Sequence, residues 1–180
     1  MEDKLLIWKL NRGSRDALCR IYDKYRDDLV RMAAGLANNV SVAEDVVQDV
    51  FLTLVRSAGR YEIRSNLKGY LTTCVANKIS DWGRKENAPN PASLDDIETG
   101  ASNSKGPDQC VACDEEFENV YRAMALLPYE QKEVVILHLK GSMKFREIAK
   151  LQGTSVKTTL SRYSYGLDKL RSILNSEVER

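Results

Sequence analysis

Helical spacing of apolar residues is the feature that most restricts how this chain can fold. From Ala17 to Leu36 the apolar side chains recur every three or four residues, at Leu18, Ile21, Tyr22, Tyr25, Leu29, Met32, Ala33 and Leu36. This spacing is typical of an amphipathic helix that buries one stripe. The first 87 residues contain no run of strict apolar–polar alternation, so the sequence predicts an all-α fold.

Two more helices are predicted after this one. Asn38 and Asn39 end the first helix, and the segment Ser41-Val42-Ala43-Glu44 has the form of a capping box that opens the second. The predicted apolar face of that helix consists of Ala43, Val46, Val47, Val50, Phe51, Leu54 and Val55. Gly59 is expected to end it. A third helix is expected to begin near Leu67 and to bury Leu67, Leu71, Cys74, Val75, Ile79 and Trp82.

The composition divides the chain into three parts. Residues 88–113 contain three of the four prolines and no helical periodicity, which predicts a flexible acidic linker between helical domains at 1–87 and 114–180. The net charge is +3 for residues 1–87, −7 for 88–118 and +5 for 119–180. Basic modules suit a polyanionic partner, although ordinary solvated surface also produces charges of this size.

The second domain is predicted to contain four helices. One apolar stripe consists of Phe117, Val120, Tyr121, Met124 and Leu127. Pro128 suits the first residue of the next helix, because proline lacks the amide proton that a helix leaves unpaired there. Two further helices follow and are separated at Gly153.

The segment FREIAKLQGTSVKTTLSRYSYGLDKL predicts a helix-turn-helix. Gly153 suits the tight turn, and Thr154 or Ser155 can cap the second helix. That helix presents short polar and basic side chains suited to the major groove, namely Ser155, Lys157, Thr158, Ser161 and Arg162. An ordinary helical hairpin is the alternative, since Gln152, Thr154 and Thr159 occupy positions where apolar residues would pack better.

Three stretches together resemble a known family. They are AEDVVQDVFLTLVR at 43–56, GYLTTCVANKISDWGRK at 69–85, and ALLPYEQKEVVILHL before the helix-turn-helix. With this order and spacing the chain resembles bacterial RNA polymerase sigma factors of the extracytoplasmic-function (ECF) type. The resemblance runs from about Ala17 to Lys85 for sigma region 2 and from about Glu116 to Leu174 for region 4. It implies a non-enzymatic initiation factor that binds core RNA polymerase and promoter DNA.

The resemblance also implies which residues meet each partner. Asp45, Gln48 and Asp49 match the family's polymerase-binding helix, and their spacing independently gives one polar stripe, which could also be a solvated face. The residues matching the minus-ten recognition segment and the loop that holds a flipped base are Tyr61, Arg64, Ser65, Asn66, Tyr70, Asn77, Lys78, Asp81, Arg84 and Lys85. Minus-thirty-five recognition is implied for Ser155, Lys157, Thr158, Ser161 and Arg162.

Region 4 departs from the family pattern. The chain reads Tyr163, Ser164, Tyr165 and Gly166 where members often carry several basic residues, and Leu160 replaces a common lysine. These departures remove cations that would otherwise contact phosphates. In region 2, Tyr70 stands where the family often has tryptophan.

Other functional classes have less support. A response-regulator-type activator also ends in a helix-turn-helix, but residues 1–87 resemble neither a receiver nor a ligand-binding domain. Cys110-x-x-Cys113 could be a redox or metal pair, yet it lacks a second CxxC, and the only histidine, His138, lies in an apolar run. We therefore expect incidental linker thiols, no metal and no cofactor.

Location and regulation follow from the same observations. No apolar run approaches the roughly 20 residues of a membrane span, and the charged N-terminus has no signal-peptide pattern. We expect a cytoplasmic protein without membrane insertion. Sigma factors of this type are commonly held inactive by an anti-sigma factor, which the resemblance adds as a partner class.

Overall fold

The computed structural model describes residues 2–59, 66–86 and 115–178, and these residues form α-helices and no strands. The helices are α1 (Glu2–Leu10), α2 (Arg15–Ala37), α3 (Val40–Arg56), α4 (Leu67–Glu86), α5 (Glu115–Ala125), α6 (Tyr129–Leu139), α7 (Phe145–Leu151) and α8 (Val156–Val178). The predicted all-α class with two helical modules is confirmed. The predicted linker at 88–113 lies outside the described residues.

In the first module, α2 packs against α1, α3 and α4. The Ser14 hydroxyl accepts a hydrogen bond from the Ala17 amide at 3.3 Å and caps the start of α2. Asn38 adopts a left-handed conformation (φ 53°) that ends α2. The side chain of Asn39 then accepts from the Val42 amide at 3.2 Å, so α3 begins at Val40 and the predicted capping box at Ser41 is wrong.

Other local predictions also need correction. Helix α1 was not predicted, because its apolar residues form a continuous run from Leu5 to Trp8 rather than a spaced stripe. Val55 and Val120 were expected in the core, but each is 41 % exposed. Cys74 and Trp82 are only half-buried. Pro128 is the N-cap of α6 rather than its first helical residue, and its carbonyl accepts from the amides of Gln131 and Lys132.

The second module contains the predicted helix-turn-helix. Helices α7 and α8 are separated by a turn at Gly153, whose φ of 63° favours glycine. Ser155 caps α8, since its hydroxyl accepts from the Thr158 amide at 3.0 Å. Thr159 is fully buried, and its hydroxyl donates to the Ser155 carbonyl at 3.1 Å. This internal hydrogen bond explains how a polar residue fits where the sequence favours an apolar one.

The two modules also pack directly on each other. Helix α2 contacts α5 and α6, and one cluster of buried residues runs through both modules. A Cβ placed on Gly35 would lie 3.1 Å from Ile136 Cδ1, so glycine permits this close approach. The Tyr121 hydroxyl donates to the Arg31 carbonyl at 3.1 Å, and Lys132 Nζ donates to Asn38 Oδ1 at 3.2 Å. No helix within the described ranges is long and apolar enough to cross a membrane.

Candidate polymerase and nucleic-acid interfaces

Helix α3 presents a mixed polar and apolar face to solvent. Its opposite side is buried through Ala43, Val47, Val50, Phe51 and Leu54. Asp45, Gln48 and Asp49 are all exposed, as the sequence predicts. Leu52, 46 % exposed, follows Gln48 and Asp49 on the same face. An exposed leucine beside carboxylates gives this face both an apolar anchor and negative charge.

One ion pair connects α3 to α4. Lys78 Nζ lies 3.0 Å from Asp49 Oδ2, and both side chains are substantially exposed. An exposed pair of this kind stabilises a protein by only about 0–1 kcal/mol. Each partner can therefore exchange the other for an external charge at small cost. By contrast, Asp45 and Gln48 make no ion pair or side-chain hydrogen bond with any described residue.

Helix α4 carries several of the predicted minus-ten residues on one exposed side. Asn77, Asp81 and Arg84 are exposed at helical spacing, and Arg84 forms an ion pair with Asp81. Asn77 also lines a cleft of about 440 Å³ that α4 shares with α7, where Glu147 and Lys150 contribute side chains. Tyr61, Arg64, Ser65 and the side chain of Lys85 lie outside the described residues.

The two other predicted minus-ten residues have structural contacts of their own. Asn66 is exposed, and its side chain accepts from the Lys68 amide at 3.1 Å at the start of α4. Tyr70 is half-buried and packs against the buried cluster that runs through both modules. Its hydrogen bond to Cys74 does not offset burial, which raises the pKa of that thiol.

The start of α8 exposes the predicted minus-thirty-five residues. Ser155, Lys157, Thr158 and Ser161 are all exposed, and no Asp or Glu occurs between Ser155 and Leu167. Val156 and Leu160 are also exposed here, at 41 % and 45 %. This end of α8 is therefore a neutral-to-basic surface with two aliphatic side chains.

Arg162 differs from the other predicted residues because it is half-buried. Its Nη1 donates to Gln152 Oε1 at 2.8 Å, and Gln152 Nε2 donates to Glu133 Oε2 at 2.8 Å. Glu133 also accepts from the Tyr129 hydroxyl at 3.4 Å, and burial raises the pKa of this carboxyl above its usual range. The network explains the polar residue at position 152. It also ties Arg162 to α6 and α7.

Packing of residues within α8 accounts for part of the departure from the family pattern at residues 163–166. His138 stacks on Phe145 at 4.1 Å between ring centroids, and Tyr163 meets both rings edge-on at 5.1 Å. A Cβ on Gly166 would lie 3.0 Å from Val135 Cγ2. Tyr163 and Gly166 therefore hold α8 against α6, whereas Ser164 and Tyr165 stay exposed.

Leu52 on α3 and Val156 on α8 are exposed aliphatic residues that the sequence patterns did not predict as parts of these surfaces. Leu52 lies outside the buried stripe of α3, and Val156 is exposed at the start of α8 although it lies three residues before the buried Thr159. A check for apolar residues that share a helix face with polar positions would have found Leu52, which follows Gln48 and Asp49 by four and three residues. Among the described residues no three His, Cys, Asp or Glu side chains gather in a metal-binding group. Cys110 and Cys113 are outside the described ranges.

Comparison with known proteins gives the same family for both modules of the chain. Residues 21–88 match the family model "Sigma-70 region 2", and residues 117–170 match "Sigma-70, region 4". The sigma factor CarQ of Myxococcus xanthus is 29 % identical over 90 % of this chain and 91 % of its own length. The ECF sigma factor RpoE of Cereibacter sphaeroides is 31 % identical over 94 % of this chain and 93 % of its own.

Solved structures show the same fold. The sigma factor RpoE of Bartonella quintana, in complex with the anti-sigma factor NepR, aligns with a TM-score of 0.62 at 21 % identity, over 87 % of this chain and 97 % of its own. CnrH, in complex with the cytosolic domain of CnrY, aligns with a TM-score of 0.66 at 18 % identity, over 98 % and 99 %. With both sigma regions matched and a relative 31 % identical along nearly its whole length, this protein belongs to the ECF RNA polymerase sigma factors, which are transcription initiation factors.

Proposed function

We propose that the exposed face of α3 binds core RNA polymerase, that α4 reads the minus-ten element, and that the start of α8 reads the minus-thirty-five element. The observation that carries this proposal is the exposed face of α3, which lies opposite the face that is buried in the core. Its residues are Asp45, Gln48, Asp49 and Leu52. The protein acts in the cytoplasm by binding and positioning, without catalysis of its own. A response-regulator output domain is not favoured, because residues 21–88 match sigma region 2.

The α3 face suits a basic helical partner. Two carboxylates steer a positively charged surface and select its orientation, and burial of Leu52 contributes apolar contact at the centre. Asp49 can turn from Lys78 to such a partner, because the ion pair is exposed and weak. Lys78 would then be available for a DNA phosphate. Asp49 would thus contact polymerase and Lys78 would contact the minus-ten DNA, although the two residues form an ion pair with each other in the free protein.

The two DNA surfaces have different chemistry. Asn77 on α4 offers an amide that can hydrogen-bond a base, with Lys78 and Arg84 beside it for phosphates. The start of α8 offers Lys157 and short hydroxyl side chains, and its N-terminus also attracts a phosphate. Arg162 is held by Gln152, so we assign it to positioning α8 rather than to direct phosphate contact.

The polymerase-binding assignment is tested with Asp45→Arg in a titration of the full chain with purified core polymerase. Asp45 is preferred to Asp49, because replacing Asp49 would also release Lys78. Reversing the charge should weaken binding at least about tenfold, since like charges then face each other across the interface.

The matched control is Asp23→Arg, which reverses an exposed carboxylate on α2. It should leave the affinity for core polymerase unchanged. Equal affinities for the Asp45→Arg variant and the wild-type chain, with both variants folded, would remove α3 as the docking surface.

A further inference from the structure

We propose that Leu160, with Val156 one turn before it, reads thymine in the minus-thirty-five element through the 5-methyl group of the base. The inference rests on the proposed role of α8 as the recognition helix and adds the chemical class of base that this helix selects. It starts from two large aliphatic side chains, Val156 and Leu160, that are 41 % and 45 % exposed. Exposed apolar surface contributes nothing to the hydrophobic stabilisation of the fold.

The location of these residues on α8 points to base edges. In helix-turn-helix proteins the N-terminal residues of the second helix enter the major groove and contact the bases. Val156 is the first residue of α8 and Leu160 the fifth, so they lie on adjacent turns of one side of the helix. Leu160 is also within one turn of Lys157 and Ser164, both exposed.

The chemistry of the surface favours DNA as the occupant. No carboxylate occurs on α8 before Asp168, so nothing on the first three turns repels phosphates. Thymine is the base that carries an apolar group in the major groove, and aliphatic side chains contact its methyl group. A helix with hydroxyls, one lysine and two aliphatic residues is therefore suited to an element in which thymine methyls lie next to phosphate contacts.

The packing shows that Leu160 is not held in the core. Thr159, its neighbour, is fully buried with its hydroxyl bonded to the Ser155 carbonyl, and Tyr163 packs in the aromatic cluster. Leu160 comes directly after the buried Thr159 and is itself 45 % exposed. Its truncation should therefore alter recognition with little effect on folding.

The test replaces each thymidine of the minus-thirty-five element, one at a time, with deoxyuridine, which removes only the methyl group. The probe is a duplex promoter that has been identified by run-off transcription. Its affinity is measured for holoenzyme made from the full chain and core polymerase. At one position or more, the wild-type holoenzyme should bind about fourfold more weakly, the loss expected for one methyl-sized apolar group. In Leu160→Ala or Val156→Ala the same replacement should have no measurable effect.

The matched control is Leu139→Ala, an exposed leucine at the end of α6 (55 % exposed, against 45 % for Leu160), which should retain the thymidine preference. The proposal is overturned if the element holds no thymine, if every deoxyuridine is tolerated by the wild type, or if the loss persists in both α8 variants. A leucine variant that changes core polymerase binding but not the thymidine preference would likewise assign this face to a protein. Lys157→Ala tests the role of α8 in minus-thirty-five binding separately from the reading of thymine. Normal minus-thirty-five binding by that variant would overturn the role of α8 itself.

Discussion

Lys132 is a buried cation where the two modules meet. It is only 4 % exposed, its ammonium donates to Asn38 Oδ1 at 3.2 Å, and no carboxylate of the described residues forms an ion pair with it. Burial lowers the pKa of Lys132 to about 8, because the low-polarity surroundings disfavour the charged form. The unfolded chain therefore binds more protons than the folded chain between about pH 8 and the usual lysine value.

We expect the free energy of unfolding to rise with pH over that interval. The folded state carries the full cost of the charged lysine below about pH 8, and the gain on deprotonation amounts to at most about 3 kcal/mol. Urea unfolding at several pH values should show this rise for the wild type and its loss in Lys132→Met. Lys140→Met, at the exposed end of α6, is the control that should keep the rise. Identical pH profiles for the wild type and Lys132→Met would contradict the account.

Among the elements, α4 has the largest number of assigned roles. One side of it forms the core through Leu71, Val75 and Ile79, and the other side exposes Asn77, Asp81 and Arg84. A helix so divided keeps its fold when an exposed residue is changed. Function and stability can therefore be tested separately on α4.

Asn77→Ala should impair promoter opening without unfolding the chain. An unpaired base would lose a hydrogen-bond partner worth about 1–3 kcal/mol, so melting of duplex promoters should fall by roughly tenfold, whereas a premelted bubble should lose less. Permanganate footprinting measures both templates. Asn175→Ala, an exposed asparagine near the end of α8, should behave as the wild type. Normal melting by the Asn77 variant would exclude this residue from minus-ten recognition; Asn66 is a weaker test because it also caps α4.

The sequence predicted those helices whose boundaries follow from the regular spacing of apolar residues along the chain. Helices α2 and α3 were expected within about two residues of their observed ends, and α4 was expected from its observed start, because each buries one regular stripe. Helix α1 was missed, since its apolar run has no stripe. The position of Arg162 was not predictable either: its partners Gln152 and Glu133 lie on other elements and are brought to it by the turn at Gly153.

At the scale of the whole molecule, the packing of the two modules has a functional consequence. The two promoter elements are named for positions about 25 base pairs apart, which is roughly 85 Å of B-form DNA. A compact chain of 180 residues is roughly 40 Å across. If α4 and α8 read these two elements as proposed, the packed arrangement cannot place both helices on them at once. Sequence patterns do not predict this packing, because Gly35 and Ile136 meet from places about a hundred residues apart.

We expect the modules to separate when the holoenzyme binds a promoter. Spin labels on the exposed Cys19 of α2 and on a cysteine introduced at exposed Asn175 of α8 report the distance, once Cys74, Cys110 and Cys113 are replaced by alanine. The distance should increase by some tens of ångströms between the free chain and the promoter complex. The labelled chain must retain transcription activity as a control. An unchanged distance in an active complex would contradict the argument.

Run-off transcription of genomic fragments tests the central claim most directly. Core RNA polymerase is incubated with the fragments alone, with the wild-type chain, and with the Asp45→Arg chain. We expect discrete transcripts that require the wild-type chain, share two upstream sequence elements, and are lost or strongly reduced with the variant. Fragments bound by the chain alone, with no transcript gained when core polymerase is added, would contradict the claim that this protein is an initiation factor.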